Sequence, residues 1–263
     1  MASLKKSINI HQIKKNTNCG NIHHFHTINS TNSWLLEHGE CGDICISDKQ
    51  SFGRGRRGNI WESPEGNIYF SLFWCFDKIY PHWSLLGLVT GTAIAQALKD
   101  TGLTNHGVKW PNDIFWQQKK LGGVLLESHT QTGEVVIGIG LNITPLPCSS
   151  EIEQPVTNLT EAMDVTHIKK IPSRELILIS IINRLQSSLK SFSSLDYDAF
   201  IDTWNTWDIL QSKAVQFHHQ GSEVSGTVKT IDKHGRLGIL KHSGELCFYS
   251  SADIKLTKSW RDG

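Results

Sequence analysis

Between two stretches that read as β-strands lies Gln50-Ser51-Phe52-Gly53-Arg54-Gly55-Arg56-Arg57-Gly58, where three glycines and three arginines fill six consecutive positions. Glycine lets a backbone fold tightly around a ligand, and arginine supplies fixed, forked donors for phosphate or carboxylate oxygens. The segment is therefore read as an anion-binding loop. Taken alone it also fits a solvated surface loop or an Arg/Gly patch for nucleic acid. The rest of the chain weighs against those alternatives, because 26 Lys plus Arg stand against 25 acidic residues and the formal net charge is only +1. A nucleic-acid surface spreads its basic character over a whole face, whereas this cationic run is local and compact, which favours a single phosphate-bearing ligand.

At 263 residues the chain has room for a catalytic unit and a small appendage. Apolar residues make up 38% and charged ones 19%, ordinary globular usage that excludes a fibrous repeat or wholesale disorder. No run approaches the ~18 apolar residues of a spanning helix, and the start is polar, so a cytoplasmic location without a membrane partner is expected. Six scattered cysteines (Cys19, Cys41, Cys45, Cys75, Cys148, Cys247) are expected to be reduced, buried thiols. His23-His24-Phe25-His26 lies in an alternating segment whose neighbours face opposite ways, which argues against a shared metal.

After a polar tail over residues 1–20, His24 to Ile28 reads as extended, and Ser30-Thr31-Asn32 offers caps for a short helix ending near Gly39. Ile44 to Ile46 and Asn67 to Phe76 read as strands, and Leu86, Val89, Ala93 and Ala97 mark a helix with one buried stripe. Strands follow around Val108 to Trp110, Ile114 to Trp116, Leu121 to Glu127 and Glu134 to Ile143, the last two joined by a Gln131-Thr132-Gly133 turn. Helices are expected from Pro172-Ser173 to about Ser191 and from Tyr197 to about Asp208. From residue 212 short alternating runs separated by Gly221, Gly235 and Gly244 predict a small β-barrel. The expected division is thus a tail (1–20), an α+β unit with a hairpin-rich sheet (21–211) and a barrel (212–263).

Three further blocks carry chemistry. Lys109-Trp110-Pro111-Asn112-Asp113 places a lysine in a strand just before a polar turn, costly to bury unless it meets an anion; a strand-end lysine reaching solvent is the plainer alternative. Lys120-Leu121-Gly122-Gly123-Val124-Leu125-Leu126-Glu127 and Gly138-Ile139-Gly140-Leu141-Asn142 put glycines where strands normally carry side chains, as for close approach of a ligand, or as bulges.

The order and spacing of Ser30-Thr31-Asn32, Gln50, Gly53 to Gly58, Trp61, Lys109 to Asp113, Lys120 to Gly123 and Gly138 to Asn142 resemble the biotin protein ligases; residues from 213 to about 256 resemble that family's C-terminal unit more loosely. The resemblance implies an α+β fold, a mixed sheet flanked by helices of the class II synthetase-like type, followed by a small SH3-like barrel. It implies activation of biotin by MgATP to biotinyl-5′-AMP and transfer to a lysine of a biotin carboxyl carrier protein. Ser30, Thr31, Asn32, Gln50, Arg54, Gly55, Arg56 and Lys109 would hold biotin. Arg56, Arg57, Trp61, Lys109 and Asn142 would serve ATP, and Lys109 and Arg56 the chemistry. The metal's own ligands are left open.

Asn59 departs from the family, many members of which carry a basic residue there. The residues before the first strand are too few for the helix-turn-helix of the repressor members, so no DNA partner is expected, and a homodimer is left open. A lipoate or octanoate ligase is the nearest alternative, and a non-enzymatic RNA-binding module the alternative from another class.

Overall fold

The computed structural model describes residues 7–128, 132–147, 154–165, 171–250 and 254–256. Its centre is a seven-stranded sheet built from β1 (Ile22–Ile28), β2 (Ile44–Gln50), β3 (Ile68–Cys75), β4 (His106–Lys109), β5 (Asp113–Trp116), β6 (Lys119–Ser128) and β7 (Glu134–Leu141). They lie in the order β1-β2-β3-β7-β6-β5-β4, with β1 and β2 parallel and every other pair antiparallel. A parallel pair needs a crossover, supplied by α2 (Thr31–His38), so the ends of β1 and β2 open at the same edge.

α2 covers one face through Leu35, which packs with Cys45, Phe73 and Val136. The other face carries α3 (Leu86–Asp100) and α5 (Arg174–Ser191), and α6 (Tyr197–Trp207) follows. A single buried stripe was expected on α3, but it is buried nearly all round, including Leu88, Thr90, Ala95 and Leu98. Small residues permit this: a Cβ on Gly91 would stand 3.0 Å from Val108 Cγ1, so helix and sheet meet at close range.

The expected polar tail contains a helix, α1 (Ile10–Asn16), capped by Asn9 Oδ1, which accepts from Gln12 N at 3.1 Å. Ile13 is fully buried, and Asn183 and Gln186 of α5 donate to Asn16 and Asn18 carbonyls. One inward residue per turn is too weak a pattern to read from sequence. α4 (Leu159–Val165), also unanticipated, buries Leu159, Ala162 and Met163. Gln131 of the expected β6–β7 turn lies outside the described residues; Gly133, at φ +76°, lies within them.

The expectation of reduced thiols is corrected at Cys41 and Cys75, which form a disulfide with Cα atoms 5.6 Å apart. The β2–β3 register explains the meeting, since extending it outward from Ile44↔Leu72 sets Cys41 opposite Cys75. Cys19, Cys45 and Cys247 are free among the described residues, and burial pushes the Cys45 thiol up to about 12. Cys148 lies outside the described residues.

A second, five-stranded antiparallel sheet stands where the small barrel was expected. It comprises β8 (Ala214–His219), β9 (Ser222–Ile231), β10 (Leu237–Leu240), β11 (Leu246–Tyr249) and β12 (Lys255–Leu256), in the order β11-β10-β9-β8-β12. Its Val215, Phe217, Val228 and Leu237 join the same apolar core as the large sheet. No helix among the described residues is long and apolar enough to cross a membrane.

Asp208, between α6 and β8, is 7% exposed. Burial pushes its carboxyl up to about 7, partly countered by the Leu210 N–H donating to Oδ1 at 2.9 Å. The folded form therefore holds this proton more tightly than an unfolded chain does, and the stability it contributes is full below the unfolded pKa of about 4 and lost as pH rises through about 7. Asp208→Asn, an isostere of the neutral acid, should flatten urea-unfolding stability between about pH 4 and 7 and stabilise the protein at the alkaline end of that range, with up to ~1.4 kcal/mol per pH unit of slope removed. An unchanged pH slope in the variant would contradict this assignment.

Candidate active site

A cleft of ≈ 1110 Å³ opens where α2 begins and β2 ends. Its floor is the paired strands β6 and β7, where Gly123 faces Gly140 and Leu125 faces Gly138. A Cβ on Gly138 would lie 2.1 Å from Asn32 Oδ1, and one on Gly140 would lie 2.5 Å from the Trp61 indole. The glycines are thus required by what descends on them, as close approach predicts.

One wall is polar and uncharged. Ser30 caps α2, with its Oγ accepting from Ser33 N. Thr31 N and Oγ1 donate to Gln50 Oε1 at 2.9 and 3.2 Å, and Gln50 Nε2 donates to Ser63 Oγ at 3.0 Å. The buried Ser71 hydroxyl lies 2.7 Å from Thr31 Oγ1 and 2.5 Å from Asn32 Oδ1. Asn32 Nδ2 donates to Glu127 Oε2 at 2.9 Å, which fixes the orientation of its amide. Such a wall is suited to a neutral ligand with its own donors and acceptors.

A second wall, adjoining the first, is cationic. The Gly-Arg segment folds into a tight loop whose legs bond at Trp61 N to Gly53 O (2.9 Å) and Gly55 N to Asn59 O (2.8 Å). It turns through left-handed Arg57 and Gly58, at φ +56° and +80°. Arg54 pairs with Glu127 at 2.7 Å, and Arg56 Nη1 donates to Asn112 Oδ1 at 3.1 Å. Asn112 in turn donates to Val124 O at 2.6 Å, tying the loop to the floor. Lys109 Nζ lies 5.1 Å from the Phe115 ring centre; Lys120 pairs with Asp113 at 2.9 Å and lies 5.2 Å from the Trp61 ring centre. Among the described residues five cations and two acids, Glu62 and Asp113, line the cleft of a chain whose net charge is +1.

The structure brings every residue singled out above into this cleft: Ser30, Thr31, Asn32, Gln50, Arg54, Gly55, Arg56, Arg57, Trp61, Lys109 and Asn142. Asn142 donates through Nδ2 to Thr157 O at 3.1 Å, while its buried Oδ1 and the buried Trp61 Nε1 carry no hydrogen bond. Lys120, quoted above only as part of a block, reaches the cleft, and Glu127, Ser63 and Ser71 hold its walls. Glu127 was legible in principle, since it shares a strand face with Gly123 and Leu125 at period two. Ser71 was not, because only the long-range β3–β7 pairing sets it opposite Gly138. The histidines of β1 alternate: His23 faces Asp43, while His24 and His26 face Asp48.

Residues 24–142 match the model of the biotin/lipoate A/B protein ligase family. The "Bifunctional ligase/repressor BirA" of Escherichia coli (strain K12) is 32% identical over 264 residues, spanning 95% of this chain and 78% of that protein. The "Biotin--[acetyl-CoA-carboxylase] ligase" of Mycobacterium tuberculosis is 26% identical, spanning 86% and 85%. A solved structure of biotin protein ligase from Aquifex aeolicus, in complex with biotin and ATP, superposes with a TM-score of 0.76 at 26% identity, covering 90% of this chain and 99% of that one.

Gly138→Ala should overpack the floor against Asn32 and lower folding stability by about 1–3 kcal/mol in denaturant titration. A variant as stable as the parent would show that Asn32 moves aside freely.

Proposed function

We infer that this chain, which belongs to the biotin/lipoate A/B protein ligase family and within it to the biotin protein ligases, activates biotin with MgATP and passes it to a lysine of a carrier protein. The observation that carries the reading is the pairing of an uncharged polar wall with an adjoining cationic one over a side-chain-free floor. The first step brings a carboxylate against an α-phosphate that is already negative. A carboxylate oxygen bonds to the α-phosphorus, the bond to the β-phosphate oxygen breaks, and pyrophosphate leaves. In the second step a lysine amine attacks the acyl carbon, AMP leaves, and the amine gives up a proton.

Fixed cations placed where charge accumulates lower the first barrier without reorganising. On this reading Lys109 and Arg56 neutralise the reacting carboxylate and phosphate, and Arg57, Trp61 and Asn142 serve the nucleotide. Arg54 and Gly55 close over biotin, while Ser30, Thr31, Asn32 and Gln50 match its ureido ring. MgATP enters as a substrate. Residues 21–211 hold this chemistry and residues 212–263 form an accessory unit. The sister reading, a lipoate or octanoate ligase, fits less well, because a purely apolar chain has no donors or acceptors for the Thr31–Gln50–Asn32 wall to recognise.

The acceptors of this family are biotin carboxyl carrier proteins. We place the reaction in the cytoplasm, with no membrane partner. A disulfide is uncommon in that compartment. The ladder beside Cys41 and Cys75 is also held by Gly42 N to Phe73 O and Phe73 N to Asp43 O, both 2.9 Å, so the reading does not depend on the bond.

Incubated with biotin and MgATP, the protein should retain biotinyl-5′-AMP in native mass spectrometry and then load one biotinyl group onto a carrier domain; absence of both species would refute the function. Lys109→Ala should slow adenylate formation by at least ~100-fold, the usual scale for losing a transition-state charge contact. Arg56→Ala should release the adenylate and increase biotinylation of unrelated lysines, because an open loop exposes the anhydride. If neither happens, the loop does not act as a closure.

A further inference from the structure

The strand that ends in Lys109 is completed by parts of the chain far from it in sequence. Among the described residues β4 has β5 as its one strand neighbour in the sheet. Along its free side runs the segment leaving α6, where Val108 pairs in parallel with Asp208 and Ile209 N donates to Val108 O at 3.1 Å. Gly107 permits that approach, since a Cβ there would stand 2.5 Å from Trp207 O.

Immediately after Lys109, Trp110 is 2% exposed and its indole Nε1 donates to Gly235 O at 2.9 Å. Gly235 lies in the turn between β9 and β10, and this turn is stiff. Asp232 Oδ1 accepts from His234 N and Arg236 N, each at 2.9 Å, and Oδ2 pairs with Arg236 at 2.6 Å. Gly235 N donates to Asp232 O at 2.8 Å. The tip is seated on the start of α3, where a Cβ on Gly235 would meet Ser84 O at 3.1 Å and Leu88 Cδ1 at 3.3 Å. Tyr197 OH holds the preceding strand through Ile231 O at 2.8 Å.

From Trp110 the chain runs directly into the cleft. Asn112 takes the Arg56 guanidinium, and Asp113 takes Lys120. A shift of the Lys109–Asp113 segment would therefore move three cations together. We infer that the β9–β10 turn of the C-terminal sheet is a positioning element of the active site, acting through the Trp110 indole on the Lys109–Asp113 segment. This inference rests on the ligase reading and gives the second sheet a task in the first half-reaction, although the turn itself touches no substrate.

Two variants address the link from its two ends. Trp110→Phe keeps an aromatic ring and removes the N–H; Asp232→Ala, remote from the cleft, unfastens the turn that presents the Gly235 carbonyl. The readout is the single-turnover rate of pyrophosphate release at saturating biotin and MgATP, per competent site as counted from retained adenylate. A residue that merely stabilises the fold would lower the number of competent sites and leave that rate alone. Each variant should lose about tenfold or more in rate, the scale expected when reacting groups are misplaced by a fraction of an ångström to an ångström. The double variant should be no slower than the slower single one, since both cut the same link. Wild-type rates in both singles, or losses that multiply in the double, would overturn the inference. If Trp110→Phe fails to fold, the rate in Asp232→Ala decides alone. A parent protein that releases no pyrophosphate with biotin would remove the ligase reading itself, a result distinct from failure of the coupling.

Discussion

Gly138 and Gly140 leave β7 bare where Asn32 and Trp61 come down on it, at distances no Cβ could occupy, and Gly123 on the facing β6 leaves Trp61 only tight room. The rest of the site is arranged around that bare floor. It lets the start of α2 reach the sheet, so Asn32 can meet Ser71 and Glu127. It also lets Trp61 lie flat, which in turn holds the second leg of the Gly-Arg loop beside Gly53. Glycine in a strand interior costs stability, and the cost falls here on a cleft able to admit a ligand between two walls.

The cations around that floor are held by partners within the chain. Arg54 is fixed by Glu127, Arg56 by Asn112 and Lys120 by Asp113. Each partner stands on a different strand or turn, so the loop, the Lys109 turn and the floor move as one frame. Preorganisation of this kind gives electrostatic catalysis its size, because the charges need not be gathered at the moment of reaction. The pairs themselves are partly exposed, and their contribution to folding is under about 1 kcal/mol each. They set geometry more than stability.

Sequence made most of the sheet legible because its strands are rich in β-branched and aromatic residues, and the Gly-Arg loop stood out by composition alone. α1 escaped because only Ile13 is fully buried on it, and α4 because seven residues give too short a period to see. The Cys41–Cys75 pair depends on the register of β2 against β3, which no local pattern encodes. The same limit hid Ser71. Glu127 and Lys120 lay on readable strands, but nothing local says which face of a strand meets a ligand. The contact between Gly235 and Trp110 spans 125 positions and exists only because two sheets share one core.

The central claim is that the cleft joins biotin to AMP. ATP–pyrophosphate exchange by the purified protein, with biotin, lipoate, octanoate or no acid, measures that step and its selectivity together. Exchange stimulated by biotin alone is the result this account predicts. Stimulation by lipoate or octanoate in its place would move the chain to the sister branch of its family, and exchange with none of the acids would contradict the enzymatic assignment.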